Sequence, residues 1–330
     1  MFAGSIPERA GELMDYHIVL GTAGWGVWHS GDAGKSWTRH RKPFPLNSRI
    51  QSLAVLPGEP HGVVAAGDTG VFASLDGGAS WARVGAQGDL PTVWSLAVDP
   101  TDPATLFAAT RPAAVHRSRD GGRTWQRLAL ETAKECSIGE PFVTRVLVDP
   151  GDPRTVWAGV EIDGVYRSRD GGDTWTHLAS GPSDPDVHDL AIAPGRVFVS
   201  TNRELFWSAD DGETWTAVGI KTAWPLPYAR GIAVRPDDPR VVYAGCGETT
   251  TGETGAVLRS GDGGRTWETL TLPVRPNATV WGLATHPADP SRVVAFTLFG
   301  EVYATDDAGE SWRKIGREFG EIRAAAWLPA

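Results

Sequence analysis

The sequence contains very little cysteine. Only Cys136 and Cys246 occur among 330 residues, in different parts of the chain and without C-x-x-C spacing. A disulfide framework requires several paired cysteines, and a structural zinc site requires closely spaced ones. The sequence therefore indicates neither, and we expect no metal ion or other cofactor.

An excess of basic residues and long apolar runs are also lacking. Lysine and arginine number 31 against 40 aspartates and glutamates, for a net charge of −9. A nucleic-acid partner is not expected, because phosphate binding needs a clustered basic surface. No apolar run reaches membrane-spanning length, and the first 20 residues lack the basic start and apolar core of a secretory signal. We expect a cytoplasmic, monomeric protein that binds no membrane.

One eight-residue pattern, Ser/Thr-x-Asp-x-Gly-x-Ser/Thr-Trp, occurs seven times; we call it the repeat motif. One copy runs from Ser118 to Trp125, and successive aspartates are 40 to 52 residues apart. The seven aspartates are Asp32, Asp76, Asp120, Asp170, Asp210, Asp262 and Asp307. The 40 glycines and 24 prolines are spread at turn positions. This period, with short apolar runs between turns, is typical of one four-stranded propeller blade per repeat.

The sequence therefore predicts an all-β, seven-bladed β-propeller with four-stranded antiparallel blades. Six runs ending in proline, such as His188 to Pro194, read as the innermost strands of blades 2 to 7. A seventh run, Arg323 to Pro329, ends the chain and should complete blade 1, which closes the ring and removes an exposed sheet edge. Residues 16–330 are expected to form this single domain, after an N-terminal leader of residues 1–15.

The repeat motif resembles that of the Asp-box, or bacterial neuraminidase repeat, family, which includes sialidases, xyloglucanases, sortilin and photosystem II assembly factors. The resemblance implies a hairpin between the third and fourth strands of each blade, opposite the ligand-binding face. Asp120 can accept hydrogen bonds from the turn, Gly122 can take a positive φ, and Trp125 can pack against the next blade. Calcium-binding or catalytic roles for these aspartates are disfavoured, because each motif offers only one or two oxygens.

Departures from the repeat point to a site on the other face. Three unusual loops, residues 131–143, 219–229 and 245–256, flank blade 5 and predict a groove over blades 4 to 6. Aligning the innermost strands on their final proline gives one equivalent residue per blade at the channel mouth. These ring residues are Gln51, Trp94, Thr144, His188, Arg230, Trp281 and Arg323.

The ring combines aromatic and cationic side chains. Trp94 and Trp281 could stack on a sugar or aryl group, while Arg230 and Arg323, with Arg145 or Arg49, could hold a carboxylate. Prolines on either side of Leu226 are expected to hold Tyr228 toward the opening. In the alternative interpretation the tryptophans pack between blades, the arginines pair with acids such as Asp189, and His188 is structural.

Two functions of different classes remain open. The first is a binding or scaffold propeller for a small acidic or carbohydrate ligand or a protein segment. The second is a glycoside hydrolase or polysaccharide lyase, which needs two facing carboxylates. The candidates on the loops and strand starts are Glu135, Glu140, Asp189, Glu204, Glu248, Glu253 and Glu301. Sialidase activity is not expected, because Arg49-Ile50-Gln51 lacks the proline of the sialidase Arg-Ile-Pro motif.

Overall fold

The described part of the chain folds as a ring of small sheets. The computed structural model describes residues 15–135, 139–179 and 181–330. The expected leader, apart from Asp15, and Cys136 lie outside these residues. Within them, 28 strands form seven four-stranded antiparallel sheets. The predicted seven-bladed all-β propeller is therefore confirmed.

Each blade contributes four strands, which are arranged in order from the central channel to the outside of the ring. The innermost strands, from blade 1 to blade 7, are Ile322–Pro329, Ile50–Val55, Thr92–Val98, Val143–Val148, Val187–Ala193, Tyr228–Val234 and Val280–Ala284. The second strands are Tyr16–Thr22, Val63–Gly67, Leu106–Arg111, Val156–Val160, Arg196–Thr201, Val242–Gly247 and Val293–Thr297. The third strands are Gly26–Ser30, Gly70–Ser74, Ala114–Ser118, Gly164–Ser168, Leu205–Ser208, Gly255–Ser260 and Val302–Thr305.

The outermost strands are short, with two or three residues each: Thr38–His40, Ala82–Val84, Gln126–Arg127, Thr176–His177, Thr216–Ala217, Glu268–Thr269 and Arg313–Lys314. Short edges of this kind leave few unpaired backbone groups for contact with another chain. One helix, Ile220–Ala223, interrupts the loop before blade 6. With four residues it is far shorter than the about 20 needed to span a bilayer, and no other described residues form a spanning helix.

The ring closes as the sequence predicts. The C-terminal strand Ile322–Pro329 pairs antiparallel with Tyr16–Thr22, with Ile18 opposite Trp327. Trp327 is buried and meets the Tyr16 ring edge-on at 5.9 Å between centroids. The strand at one end of the chain thus completes the blade that begins at the other end, so that every innermost strand lies between two neighbours.

All seven repeat motifs form the same hairpin between third and fourth strands. In blade 3, Asp120 Oδ1 accepts from the Ser118 hydroxyl at 2.7 Å and the Thr124 N–H at 2.9 Å, and Oδ2 accepts from the Thr124 hydroxyl at 2.7 Å. Gly122 has a φ of 89°, which a Cβ would oppose. These hydrogen bonds lower the pKa of Asp120 to about 2. The Asp120 carboxylate therefore makes its hydrogen bonds within its own turn.

The motif tryptophans pack in the direction opposite to the expected one. Trp125, from blade 3, belongs to a cluster that contains Val71 and Val84 of blade 2. Trp37 of blade 1 contacts Phe319, which follows blade 7. The prediction that each tryptophan packs against the next blade was wrong, because the twist of the sheets brings the hairpin over the outer strands of the preceding blade. Each motif tryptophan thus helps to hold its blade against the preceding one.

The two faces of the ring carry different loops. The Gly121 N–H of the motif donates to Ala104 O in the turn between first and second strands, so both lie on one face, here the motif face. On the opposite face, the Ala113 N–H after the second strand donates to Pro141 O in the loop that enters the next blade. We call this second face the mouth face, because the innermost strands begin there.

Candidate binding site at the channel mouth

A cavity of about 490 Å³ lies at the centre of the ring. Residues from all seven innermost strands line it, and the lining includes every ring residue predicted from the proline alignment. It also includes Arg145 and Asp189, but not Tyr228. The repeat therefore brings one side chain per blade to the same level of the channel.

Every ring residue lies in a β-bulge. In blade 5, for example, Val187 pairs with Thr201 and Asp189 with Ser200, which leaves His188 without an opposite residue. The same irregularity occurs at the ring position of the other six blades. A bulge bends the strand and redirects a side chain. The seven bulges thus turn the ring side chains toward the channel.

Three ring residues from blades 6, 7 and 1 form a stack. The Arg230 guanidinium lies over the Trp281 ring at 3.9 Å from its centroid, and the Arg323 guanidinium lies at 5.1 Å from the same centroid. Arg323 pairs with Glu321, and burial lowers its pKa. Arg230 forms no ion pair with any carboxylate in the described part of the chain. The stack therefore presents one unpaired, half-buried guanidinium at the mouth.

The predicted aromatic platforms are partly occupied by the protein itself. Arg230 lies over Trp281, and Trp94 packs against Phe142 with 4.3 Å between ring centroids. The interpretation in which these tryptophans pack between neighbouring elements therefore describes much of their surface. Stacking of a sugar on the remaining ring surface stays a prediction.

Asp189 and Arg145 have structural partners. The Arg145 Nε lies 3.1 Å from Asp189 Oδ1, and Asp189 Oδ2 accepts from the Ile232 N–H of blade 6 at 3.1 Å. The hydroxyl of Ser52 plays the same part between blades 2 and 3, accepting from the Leu96 N–H at 2.9 Å. Asp189 is thus a link between blades 4, 5 and 6, as the structural alternative anticipated.

His188 and Tyr228 are buried, although His188 lies in the wall of the cavity. The His188 side chain is 7% exposed, and burial together with Arg230 holds its pKa well below the ordinary value. Tyr228 is 3% exposed and packs on His188 at 5.1 Å between centroids. It begins a strand, pairing with Gly247. The expectation that prolines hold Tyr228 toward the opening is corrected, because strand pairing turns its ring inward.

Two acids on the mouth face escaped the sequence analysis, Glu161 and Asp186. Burial, reinforced by the charge of Asp186, raises the pKa of Glu161 to about 7, although Arg230 and Arg111 oppose this. Burial and Asp184 raise the pKa of Asp186, and Arg230 and Arg203 oppose it. Asp186 Oδ1 lies 3.6 Å from His188 Nε2, too far for a hydrogen bond. The charge of Arg230 therefore acts on two partly buried acids of raised pKa.

Both acids occupy positions that the repeat could have revealed. Glu161 directly follows a second strand, and Asp186 lies two residues before the ring residue of blade 5. The same position holds Arg49 in blade 2 and Glu321 in blade 1. Alignment of these two further positions across the blades would have placed the acids on the mouth face.

The carboxylates proposed from the sequence do not gather in the mouth. Glu204 Oε1 accepts from the Gly219 and Ile220 N–H groups at 3.0 and 3.1 Å, and buried Glu301 pairs with Lys314 at 2.5 Å. The other loop glutamates are exposed: Glu135, Glu140, Glu248 and Glu253. Among the described residues, Asp189 is therefore the one candidate carboxylate that lines the mouth cavity.

The loop before blade 6 is packed more closely than a raised wall would be. In the loop before blade 6, Trp224 is buried and meets Trp267 edge-on at 5.2 Å. The predicted wall there lies largely on the core of blades 5 and 6. Three residues of the loop before blade 4, 136–138, fall outside the described part.

No group of three or more His, Cys, Asp or Glu side chains in residues 15–135, 139–179 and 181–330 is arranged to hold a metal ion. Cys246 is buried, which raises its pKa to about 12.

Comparison with known proteins gives similarity to xyloglucanases over part of the chain. No protein-family model matches. The sequence is 27% identical to a xyloglucanase of Paenibacillus sp over 148 residues, 38% of this chain and 14% of that protein. It is 31% identical to xyloglucanase Xgh74A of Acetivibrio thermocellus over 145 residues, 37% of this chain and 17% of that protein. The aligned segments are thus a small part of these relatives.

Solved structures resemble most of the chain. The GH74 xyloglucanase of Xanthomonas campestris matches with a TM-score of 0.63 and 22% identity, over 80% of this chain and 45% of that one. The structure of YCF48 bound to D1 peptide matches with a TM-score of 0.62 and 16% identity, over 89% and 88% of the two chains. At such identities the likeness establishes the propeller fold alone, shared by an enzyme and a peptide-bound protein.

Proposed function

We propose that this chain is an Asp-box propeller that binds an acidic group of its ligand at the channel mouth. The observation that carries the proposal is the unpaired Arg230 guanidinium, fixed over Trp281 with Arg323 beside it. A planar guanidinium already held in place can form paired hydrogen bonds with a carboxylate at little entropic cost. The seven identical motif hairpins on the opposite face support the Asp-box assignment.

The ligand would be a small acidic molecule, an acidic carbohydrate or a protein segment. Glu161 fits such a ligand because its carboxyl group, with a pKa of about 7, is half protonated near neutral pH. In that form it can donate a hydrogen bond to an acidic group, whereas an ionised acid would repel it. The site thus combines a fixed cation with an acid that need not carry charge.

Binding can be tested on the full chain by thermal stabilisation with uronates, aryl acids and acidic peptides, followed by titration of the tightest compound. Arg230→Ala should weaken that compound about ten- to a hundredfold, the cost of losing a charged hydrogen-bond pair. The control is Arg119→Ala, which removes an exposed arginine from a motif loop. Equal affinity of the Arg230→Ala variant and the unmodified chain would refute the proposal.

A second candidate function, polysaccharide cleavage, is favoured by one observation. Glu161, with its raised pKa, could serve as a general acid near Asp186, and the related sequences include xyloglucanases. Incubation with xyloglucan and polygalacturonate, with assays for new reducing ends and for unsaturated products, tests hydrolysis and elimination. Glu161→Gln should abolish any activity and retain binding. If neither polymer is cleaved, the binding function stands alone.

A further inference from the structure

Exposed apolar side chains concentrate on the mouth face, away from the groove predicted over blades 4 to 6. In the described part of the chain five large apolar residues are strongly exposed, and four of them lie on mouth-face loops. These four are Trp25 at 52%, Leu46 at 89%, Val274 at 44% and Phe299 at 48%. The fifth, Leu75, lies in the motif of blade 2, on the other face. Scattered single residues are ordinary, but a shared location indicates a binding surface.

Backbone hydrogen bonds join these residues into one surface. Trp25 lies at the tip of a blade 1 hairpin, where the Ala23 N–H donates to Glu321 O at 2.9 Å and the Gly24 N–H donates to Ser48 O at 3.0 Å. The tip is therefore held between the loop that leads from blade 7 and the loop that contains Leu46.

Phe299 adjoins the same assembly from blade 7. The Phe319 N–H donates to Gly300 O at 3.0 Å, and a Cβ on Gly320 would lie 3.5 Å from the Trp25 ring. We call the arc of Phe299, Trp25 and Leu46 over blades 7, 1 and 2 the apolar rim. The rim is continuous with the channel mouth. Glu321, whose carbonyl accepts from the Trp25 hairpin, lies two residues before the ring residue Arg323.

The rim is positively charged although the whole chain carries −9. Arg39 lies over Trp25 at 4.3 Å from the ring centroid. Neither Arg39 nor its neighbours Arg41, Lys42 and Arg49 form ion pairs within the described residues. Among the acids of the neighbouring blade 7 and blade 1 loops, Glu301 and Glu318 share the single charge of Lys314, and Glu321 pairs with Arg323. Asp68 accepts from the Arg49 N–H at 2.9 Å. An acidic partner is the complement of this charge.

We infer that the apolar rim binds a protein segment that carries both apolar and acidic side chains. Such a segment would cross blades 7, 1 and 2 and deliver one acid to Arg230, beside Arg323; this last contact rests on the proposed function. Tryptophan and arginine on a rigid frame are the residues that dominate binding energy in protein interfaces. Leu46, the most exposed residue of the rim, offers no flat ring to a sugar, so the surface fits peptide side chains better than a polysaccharide.

Selection of random peptides displayed on phage against the full chain tests this inference. The selected peptides should be enriched in Asp or Glu together with Phe, Trp or Leu. A synthetic copy of the best peptide should bind Trp25→Ala about tenfold or more weakly than the unmodified chain. Phe299→Ser should also weaken binding of this peptide. Leu75→Ala is the matched control, because it removes an exposed apolar side chain from the motif face, and melting temperatures establish that each variant is folded.

The outcomes separate the rim from the mouth. If Trp25→Ala weakens the peptide but Arg230→Ala does not, the rim surface stands and the acid site at the mouth fails. If Arg230→Ala weakens uronates and peptides while Trp25→Ala and Leu75→Ala behave alike, the mouth stands and the rim is refuted. Peptides without acidic or apolar enrichment would also overturn the inference. The inference would likewise fail if Trp25→Ala weakened binding of oligogalacturonate alone, because the rim would then be a carbohydrate-binding surface.

Discussion

His17 Nδ1 lies 3.0 Å from His29 Nε2, and the two rings stack with 5.3 Å between centroids. His61 meets His17 at 6.0 Å and His40 meets His29 at 5.9 Å, so four histidines form a row between blade 1 and blade 2. A neutral pair can share one proton in a hydrogen bond, whereas two imidazolium ions at this distance repel. His61 also contacts Pro329 O at 3.2 Å, in the closing strand.

We predict that this histidine row makes the propeller sensitive to acid. Burial lowers the pKa of His17 and His40, and burial with the neighbouring histidines lowers that of His29 to about 4, although Asp76 and Asp32 oppose this. Because the folded pKa lies below the unfolded value of 6.5, stability present above pH 6.5 is lost as the pH falls toward 4. Because solvent screens these partly exposed rings, the free energy of unfolding, measured by urea denaturation, should fall by only about 1–2 kcal/mol over this pH interval.

The variant His29→Gln should reduce that pH dependence, because the remaining histidines lose their closest neighbour. His177→Gln, which removes an exposed histidine of blade 4, is the control and should leave the dependence unchanged. An equal slope of unfolding free energy against pH in the His29→Gln variant would contradict the assignment.

Truncation should open the ring. Removal of residues 321–330 deletes the innermost strand of blade 1, including buried Trp327 and Leu328. We expect a severe loss of melting temperature, since Tyr16–Thr22 would become an exposed edge and a core tryptophan alone contributes about 3–5 kcal/mol. Addition of a synthetic 321–330 peptide should restore part of the loss. A truncated chain that melts like the full one would disprove closure by this strand.

Asp120→Ala should affect stability and not ligand binding. The substitution leaves the Thr124 N–H and two hydroxyls without their acceptor, so the melting temperature should fall. Asp120→Asn, which retains one carbonyl oxygen, should cost less. Chemical denaturation and ligand titration measure the two effects separately, and weaker binding with an unchanged melting temperature would place the ligand on the motif face.

Glu161 should make acidic ligands bind more weakly as the pH rises. Its pKa of about 7 means that it loses its proton on passing from mildly acidic to mildly basic solution, and the new charge competes with the ligand for Arg230. A ligand that does not itself titrate there, such as a uronate, should lose affinity above pH 7. In Glu161→Gln the affinity should stay constant over this range. A similar decline in that variant would assign the pH dependence to another group.

Tyr228→Phe should leave the protein equally or more stable. The Tyr228 hydroxyl is buried and has no hydrogen-bond partner in the described part of the chain. Removal of an unpaired buried hydroxyl while the ring on His188 is kept relieves a desolvation cost of about 1–3 kcal/mol. A clear loss of melting temperature would indicate that the hydroxyl contributes a stabilising interaction.

The scaffold could be predicted from the sequence because each feature of it is local and repeated. The hydrogen bonds of Asp120 reach only Ser118 and Thr124, so their spacing in the chain already defines the turn. Seven copies specify seven blades, and the unmatched run from Arg323 to Pro329 can complete only the blade that lacks a strand. The alignment on proline even selected the ring residues, since equivalent positions in a repeat occupy equivalent places around the axis.

The chemistry of the mouth was decided by contacts between blades, which no single repeat contains. Arg230 meets Trp281 across the boundary of blades 6 and 7, Asp189 reaches the Ile232 N–H of blade 6, and Glu161 acquires its raised pKa from burial beside Asp186. Bulges, sheet twist and loop packing set these distances, and they also turned Tyr228 inward. Side-chain identity determined which groups are available, but only the closed ring determined which of them remain unpaired at the opening.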